Sequence, residues 1–350
     1  MITFELKGRN KSVAIGGGCP VIVNCNLGIN AIAEFDSEKE KLDSLFIKEE
    51  SSPDTIMDLS LLNGEYPIAD YARIKYGVPI GLVPVYGLDY SFRSEQLIKQ
   101  IKKHAEKGIA FMTMHFTADM DLYELAKQKR GIPVTSRGGK LILNNTIHRN
   151  HKDNILRENL DNIIALSLFY GFAISLGTTF RPAGICDACD SVHIEETQRQ
   201  IELAKYLTEQ GCKVIIENVG HIGIDKIEGH CKLLKQANVP IMPLGPVVLD
   251  SSIGSDHISA SIGAAMMGYF NALNIINAIT PSEHLHSKIT FDDAEEGVKA
   301  AKIVAQSINC TRFPQYEEIE HRIYSGRSIA KNCVISGQIC TRCAENCPLK

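Results

Sequence analysis

The order of its apolar runs constrains this chain most. VIVNCN (21–26), TIMDLS (55–60), PIGLVPVYG (79–87), GIAFMTMHF (108–116), IPVTSRGG (132–139), FAISLGTTFRP (172–182), KVIIENVGH (213–221) and VPIMPLGPV (239–247) read as strands. Stretches such as SEQLIKQIKKHAEKG and IEETQRQIELAKYLTEQG, lying between them, read as helices, and HKDNILRENLDNIIALSLFYG reads as one long helix. Strand–helix alternation favours a parallel sheet, because every parallel connection needs a crossover. Eight such units predict an α/β fold, a (β/α)8 TIM-type barrel. From residue 257 the pattern turns helical through ISASIGAAMMGYFNALNIINAI and DDAEEGVKAAKIVAQSI. The expected organisation is a barrel over 1–256, a helical region over 257–332 and a cysteine tail over 333–350.

Composition narrows the function. The chain has 350 residues, 44% of them hydrophobic, enough for a large core. The formal net charge is −4 and no long basic run occurs, which argues against nucleic acid as a partner. No apolar run is long enough to span a membrane, and MITFELKGRNKSVAIGGGCP lacks the apolar segment of a signal peptide. The expected location is the cytoplasm. Eleven cysteines in such a chain read as reduced thiols, some of them metal ligands, and not as a disulfide framework.

Barrel enzymes place their chemistry where strands end and the following loops begin. Here those ends carry Asn24, Asn26, Met57, Asp58, Tyr86, His115, Ser136 to Gly139, Thr178 to Arg181 and Glu217 to His221. Any one of them alone reads as an ordinary loop polar group; the recurrence on successive strands is the signal. Asn, Ser, Arg and glycine amides suit a phosphorylated ligand. Arginine offers a bidentate cationic fork, and Gly138 and Gly139 would let backbone N–H groups approach closely.

The chain ends in ICTRCAENCPLK, which sets Cys340, Cys343 and Cys347 in a C-x2-C-x3-C pattern. Three thiolates are too few for a closed zinc site or a four-cysteine ferredoxin cluster. They fit a 4Fe–4S cluster with one iron open to S-adenosylmethionine. Zinc with a remote fourth ligand such as Cys333 or a histidine, or a solvated redox tail, fits the same spacing. Cys186 and Cys189, a second C-x2-C pair, read as small packing or loop residues, and Cys212, Cys231 and Cys310 as buried ones.

Longer segments say more. DTIMDLS, VPIGLVPVY, the SRGG of VTSRGG, SLGTTFRP, IIENVGH, PLGPVVLDSSIGSDHISASIGAAMMGYF and ITPSEHL run in one order over nearly the whole chain from Gly8. In these segments the chain resembles the phosphomethylpyrimidine synthase family of radical S-adenosylmethionine enzymes. The resemblance implies a barrel whose helical C-terminal extension bears the cysteine tail, and a carbon–carbon lyase acting on 5-aminoimidazole ribonucleotide. It implies a 4Fe–4S cluster on Cys340, Cys343 and Cys347 and S-adenosylmethionine as cofactors. Asn26, Met57, Tyr86, His115, Ser136, Arg137, Gly138, Arg181 and Glu217 stand where the family binds this nucleotide, with His115 and Glu217 the candidates for catalytic work. His221 and His284 match two histidines that hold a second divalent metal, zinc or iron. The partners implied are a second copy of the chain or a paralogue, and an electron donor such as flavodoxin or ferredoxin.

Four departures qualify the resemblance. The tail is one residue shorter than the family's, Asn218-Val219 replaces a Gly-Pro pair, Thr178 replaces an aspartate, and the region before the barrel is shorter. They lean the reading toward a divergent paralogue of the 5-hydroxybenzimidazole synthase type, serving cobamide lower-ligand biosynthesis. The alternatives are a pyrimidine phosphate synthase of thiamine biosynthesis, a non-catalytic nucleotide-binding barrel, and a zinc-dependent hydrolase built on His221 and His284 with Glu217 as base.

Overall fold

The computed structural model describes residues 1–335, 338 and 340–349. An antiparallel hairpin of β1 (Thr3–Lys7) and β2 (Ser12–Gly16) comes first. Eight parallel strands follow: β3 (Ile22–Leu27), β4 (Thr55–Asp58), β5 (Ile80–Leu82), β6 (Phe111–Met114), β7 (Ala173–Leu176), β8 (Val214–His221), β9 (Ile241–Val247) and β10 (Ile275–Asn277). Their order is β10-β3-β4-β5-β6-β7-β8-β9. Asn274 joins the two ends of that order, donating its backbone N–H to the Ile241 carbonyl at 3.0 Å and accepting the Ile241 N–H on its side chain at 2.9 Å. The expected (β/α)8 barrel is therefore present. Every residue of β4, β5, β6, β7 and β10 is buried, as strands covered on both faces require.

The hairpin determines which end of the barrel stays accessible. Leu6 and Ile15 are fully buried beneath it. The Ile2 N–H donates to the Asn238 carbonyl at 2.8 Å, and the Asn274 side chain donates to the Gly16 carbonyl at 3.2 Å. Asn238 and Asn274 precede β9 and β10, so the hairpin covers the N-terminal ends of the strands. Their C-terminal ends are left for loops, and for chemistry.

Three expectations fail. IPVTSRGG supplies no barrel strand: residues 132–136 run outside the sheet, and the following residues form the helix Arg137–Arg149. The eighth strand is β10, within a stretch that reads as helical, so the barrel takes a strand from beyond residue 256. The helix Asp256–Tyr269 stops there, and Asn271 at φ 58° turns the chain into the strand. A short apolar run such as IIN carries no periodicity to separate strand from helix. The long helix expected over 151–171 is also divided, into Ile155–Glu158 and Leu160–Tyr170, with Asn154 capping the first by accepting the Arg157 N–H at 3.0 Å.

The chain forms two compact units, Met1–Ala305 and Gln306–Lys350. The second holds the helix Pro314–Ala330, closed by Lys331 in the left-handed conformation, and a 3-10 turn over Ala344–Asn346. Positions 336, 337, 339 and 350 of the expected tail lie outside the described residues. Among the described residues no helix is long and apolar enough to cross a membrane.

Candidate active site at the barrel mouth

Glu217 on β8 is only 5% exposed. Its Oε1 accepts from the hydroxyl of Thr113 on β6 and from that of Ser175 on β7, the latter at 2.9 Å. Burial raises the proton affinity of this carboxyl, while the two hydroxyls and the charge of Arg181 act against the shift. Three adjacent strands thus converge on one carboxyl.

His115 follows β6 and is buried. Its Nε2 lies 2.6 Å from Ser136 Oγ, and its buried Nδ1 has no hydrogen-bond partner. Burial first, and the Arg181 charge second, hold its pKa down to about 3, so the ring is neutral at ordinary pH. Ser136 also caps the helix Arg137–Arg149, accepting the Gly139 N–H at 3.1 Å. The two glycines are packing devices and not an open cradle. A Cβ on Gly138 would sit 2.4 Å from His115 Cε1, and one on Gly139 would sit 2.5 Å from Thr179 Cγ2. The close backbone approach expected of them is made to His115 and Thr179.

Arg137, the first residue of that helix, is exposed and holds its guanidinium 5.3 Å from the centre of the Tyr86 ring. Tyr86 sits in the 3-10 turn Pro84–Gly87 after β5. Arg181, beyond β7, donates to the carbonyls of Thr178 at 3.2 Å and Thr135 at 3.4 Å. Asn26 accepts from Asn24 Nδ2 at 2.8 Å, and in the sheet register it lies beside Met57. The same Asn24 amide donates to Asn277 on β10 at 2.7 Å. Asn26, Met57, Tyr86, His115, Ser136, Arg137, Gly138, Arg181 and Glu217 therefore all stand at the mouth end of the barrel. Two of them are cations, and the buried His115 nitrogen is unpaired.

His221 ends β8 after an irregularity at Val219, which is buried at φ 76°. A β-branched residue is strained there. The bulge redirects the last residue of the strand. The His221 and His284 rings are 5.0 Å apart between centroids. Each directs Nδ1 to a carboxylate, His221 to Asp250 at 2.7 Å and His284 to Asp256 at 3.1 Å. A carboxylate on Nδ1 fixes the tautomer and leaves Nε2 with its lone pair, the arrangement typical of metal-bound histidine.

Sequence reasoning missed the supports. Glu196 is fully buried and accepts from the Thr117 hydroxyl at 2.7 Å, the Thr179 N–H at 2.6 Å and the Phe180 N–H at 2.8 Å, fixing the loop that bears Arg181. Its pKa is pushed up to about 7 by burial. One turn along the same helix, Gln200 donates to the carbonyls of Leu176 and Glu217 at 2.9 and 2.8 Å. Thr178, which stands in place of the expected aspartate, is fully buried and donates its hydroxyl to the Glu217 carbonyl. Glu196 and Gln200 were legible only as polar residues four apart on one helix; nothing local distinguishes them from a solvated face.

The cysteine tail lies in the second unit. Cys343 is exposed, Cys340 and Cys347 are partly exposed, and Cys343 and Cys347 flank the turn Ala344–Asn346. The Cys333 thiol donates to Cys340 Sγ at 3.4 Å. Three accessible thiols within eight residues suit a three-thiolate iron–sulfur site, with Cys333 near the first.

The Radical SAM ThiC family matches residues 1–333, so Cys340, Cys343 and Cys347 lie beyond the matched span. The phosphomethylpyrimidine synthase of Carboxydothermus hydrogenoformans is 38% identical over 312 residues, covering 85% of this chain and 71% of that one. That of Pyrococcus furiosus is 31% identical over 374 residues, covering 97% and 85%. That of Archaeoglobus fulgidus is 33% identical over 328 residues, covering 91% and 76%. On a match of this extent the chain belongs to the Radical SAM ThiC family, enzymes of the radical S-adenosylmethionine type whose chemistry rests on a 4Fe–4S cluster and that cofactor.

Proposed function

We propose that this enzyme is a carbon–carbon lyase that rearranges 5-aminoimidazole ribonucleotide, and that its product is the hydroxymethylpyrimidine phosphate of thiamine biosynthesis. The relatives' names favour that product over 5-hydroxybenzimidazole, toward which the four sequence departures leaned. One departure has a structural account that needs no change of product: Thr178 is fully occupied behind β8, holding the Glu217 carbonyl.

The observation that carries the reading is the buried, unpartnered His115 Nδ1 in a ring of polar residues at the mouth end of the barrel. A nucleotide entering there gives that nitrogen a partner. Arg137 would take the phosphate in a charge-assisted pair, steadied by the Tyr86 face beneath it. Arg181, immobilised by two backbone carbonyls, would supply the second cation. Asn26 would hydrogen-bond the ribose or base, and Met57 would pack against the base. Neutral His115, and Glu217 with its proton affinity raised by burial, would exchange protons with the rearranging ring.

Cys340, Cys343 and Cys347 would hold the cluster. When bound, it and S-adenosylmethionine supply a carbon radical by one-electron reduction, with the electron coming from a protein such as flavodoxin or ferredoxin. His221 and His284, oriented by Asp250 and Asp256, would hold a second divalent metal, zinc or iron. In the active form the chain pairs with a second copy or a paralogue. Mass spectrometry of the product formed from 5-aminoimidazole ribonucleotide under anoxia tests the assignment: hydroxymethylpyrimidine phosphate supports it, and 5-hydroxybenzimidazole overturns it.

A further inference from the structure

Behind β8, away from the polar groups of the mouth, lies a second cluster. Asn218 Oδ1 accepts the Val219 N–H at 2.6 Å, which identifies that atom as the oxygen. The same oxygen lies 3.2 Å from His193 Nε2 and 2.7 Å from His230 Nε2. An amide oxygen only accepts, so both Nε2 atoms carry hydrogen and both Nδ1 atoms carry lone pairs. His193 Nδ1 accepts the Cys189 N–H at 3.1 Å. His230 Nδ1 has no partner, although this histidine is only 2% exposed. A bare lone pair buried at this depth is costly unless something donates to it or binds it. Ligand atoms of Cys189, His193 and His230 all lie within 4.8 Å of one another.

We propose that Cys189, His193 and His230 form a zinc site, with Cys189 Sγ, His193 Nδ1 and His230 Nδ1 as ligands. One thiolate and two imidazoles suit Zn2+, with water in the fourth position. Asn218 then acts as the outer partner of both histidines, donating in turn to Thr197 Oγ1 at 3.2 Å and Gln200 Oε1 at 2.6 Å. On binding, His193 exchanges the Cys189 amide for the metal, a small movement of a turn residue that sits at φ 59°. Asp190 is not available as a fourth ligand, because it is held by Arg130 at 2.6 and 2.8 Å. Lys226, which donates to the Ala188 carbonyl at 2.9 Å, is close enough for its charge to act on Cys189 and reduces the net charge around a bound thiolate. The ligands come from the loop after β7, the helix Ser191–Glu209 and the helix Ile224–Leu234. A metal there clamps these elements to β8, the strand that delivers Glu217 and His221 to the mouth.

The test uses the full chain with Cys340→Ser, Cys343→Ser and Cys347→Ser to remove the tail thiolates, and His221→Ala and His284→Ala to remove the other histidine pair. Anoxic titration with Co2+ is expected to give one tight equivalent with a thiolate-to-cobalt charge-transfer band, displaced by Zn2+. Adding Cys189→Ser abolishes the band, and adding His230→Gln weakens metal binding by at least about tenfold. No band in the parent, or a band that survives Cys189→Ser, overturns the proposal. If that background does not fold, zinc and iron are measured in the otherwise unaltered chain. Loss of one zinc equivalent on Cys189→Ser at constant iron supports the site, and equal zinc overturns it.

Discussion

Ser136 joins two functions in one hydroxyl, and its removal separates them. Its Oγ accepts the Gly139 N–H at 3.1 Å, capping the helix Arg137–Arg149, and meets His115 Nε2 at 2.6 Å. Ser136→Ala loses the cap, about 1 kcal/mol. It also leaves the buried Nε2 unpaired on a ring whose Nδ1 already has no partner, a further cost of about 1–3 kcal/mol. The expected total is about 2–4 kcal/mol. Ser136→Gly retains most of the capping preference, so it should fall about 1 kcal/mol short of the alanine variant. Urea unfolding followed by far-UV circular dichroism reads both, since the chain has no tryptophan to report by fluorescence. An alanine variant within about 0.5 kcal/mol of the parent would show that the hydroxyl does not bridge helix and histidine, since that is the spread of substitutions away from such features.

Other perturbations test separate parts of the account. The folded-state pKa of His115 is depressed to about 3 from an ordinary 6.5, so the unfolded chain binds the extra proton between those values and stability falls as pH drops through that window. His115→Gln should therefore flatten the slope of unfolding free energy against pH there by about 1.4 kcal/mol per unit, and an unchanged slope counts against a buried neutral ring. Arg137→Ala should weaken ribonucleotide binding by about 2 kcal/mol in calorimetry without moving the unfolding midpoint, because the side chain is exposed. Cys343→Ala should abolish 5′-deoxyadenosine formation while leaving the circular dichroism spectrum unchanged, because Cys343 lies in the second unit, outside the barrel.

The barrel was legible because long amphipathic helices punctuate buried strands, and that pattern survives in one sequence. Its failures are local. Pro133 and the apolar residues around it mimic a strand, yet Ser136 begins a helix in spite of two glycines in the first turn, each costing about 1 kcal/mol of helix propensity. The capping bond and the space needed by His115 and Thr179 outweigh that cost. β10 is three residues long and sits in a largely apolar stretch, where only Asn271 and Asn274 mark its start. Asn26, Met57, His115 and Glu217 were found because they lie at or near strand ends, whereas Ser136, Arg137 and Gly138 begin a helix and not the strand end expected of them. Glu196, Gln200, Thr113 and Ser175 were missed because their partners are 16 to 104 residues away in sequence, and only the closed barrel brings them together. Cys189 looked like a packing residue for the same reason: His230 reaches it only through the fold.

The central claim is that this barrel houses radical chemistry on a ribonucleotide. The direct measurement is an anoxic, single-turnover incubation of the iron- and sulfide-reconstituted protein with reductant, S-adenosylmethionine and 5-aminoimidazole ribonucleotide, analysed for 5′-deoxyadenosine. The account predicts that 5′-deoxyadenosine accumulates as the ribonucleotide disappears. Protein that carries its cluster, binds the ribonucleotide and leaves S-adenosylmethionine intact would contradict it.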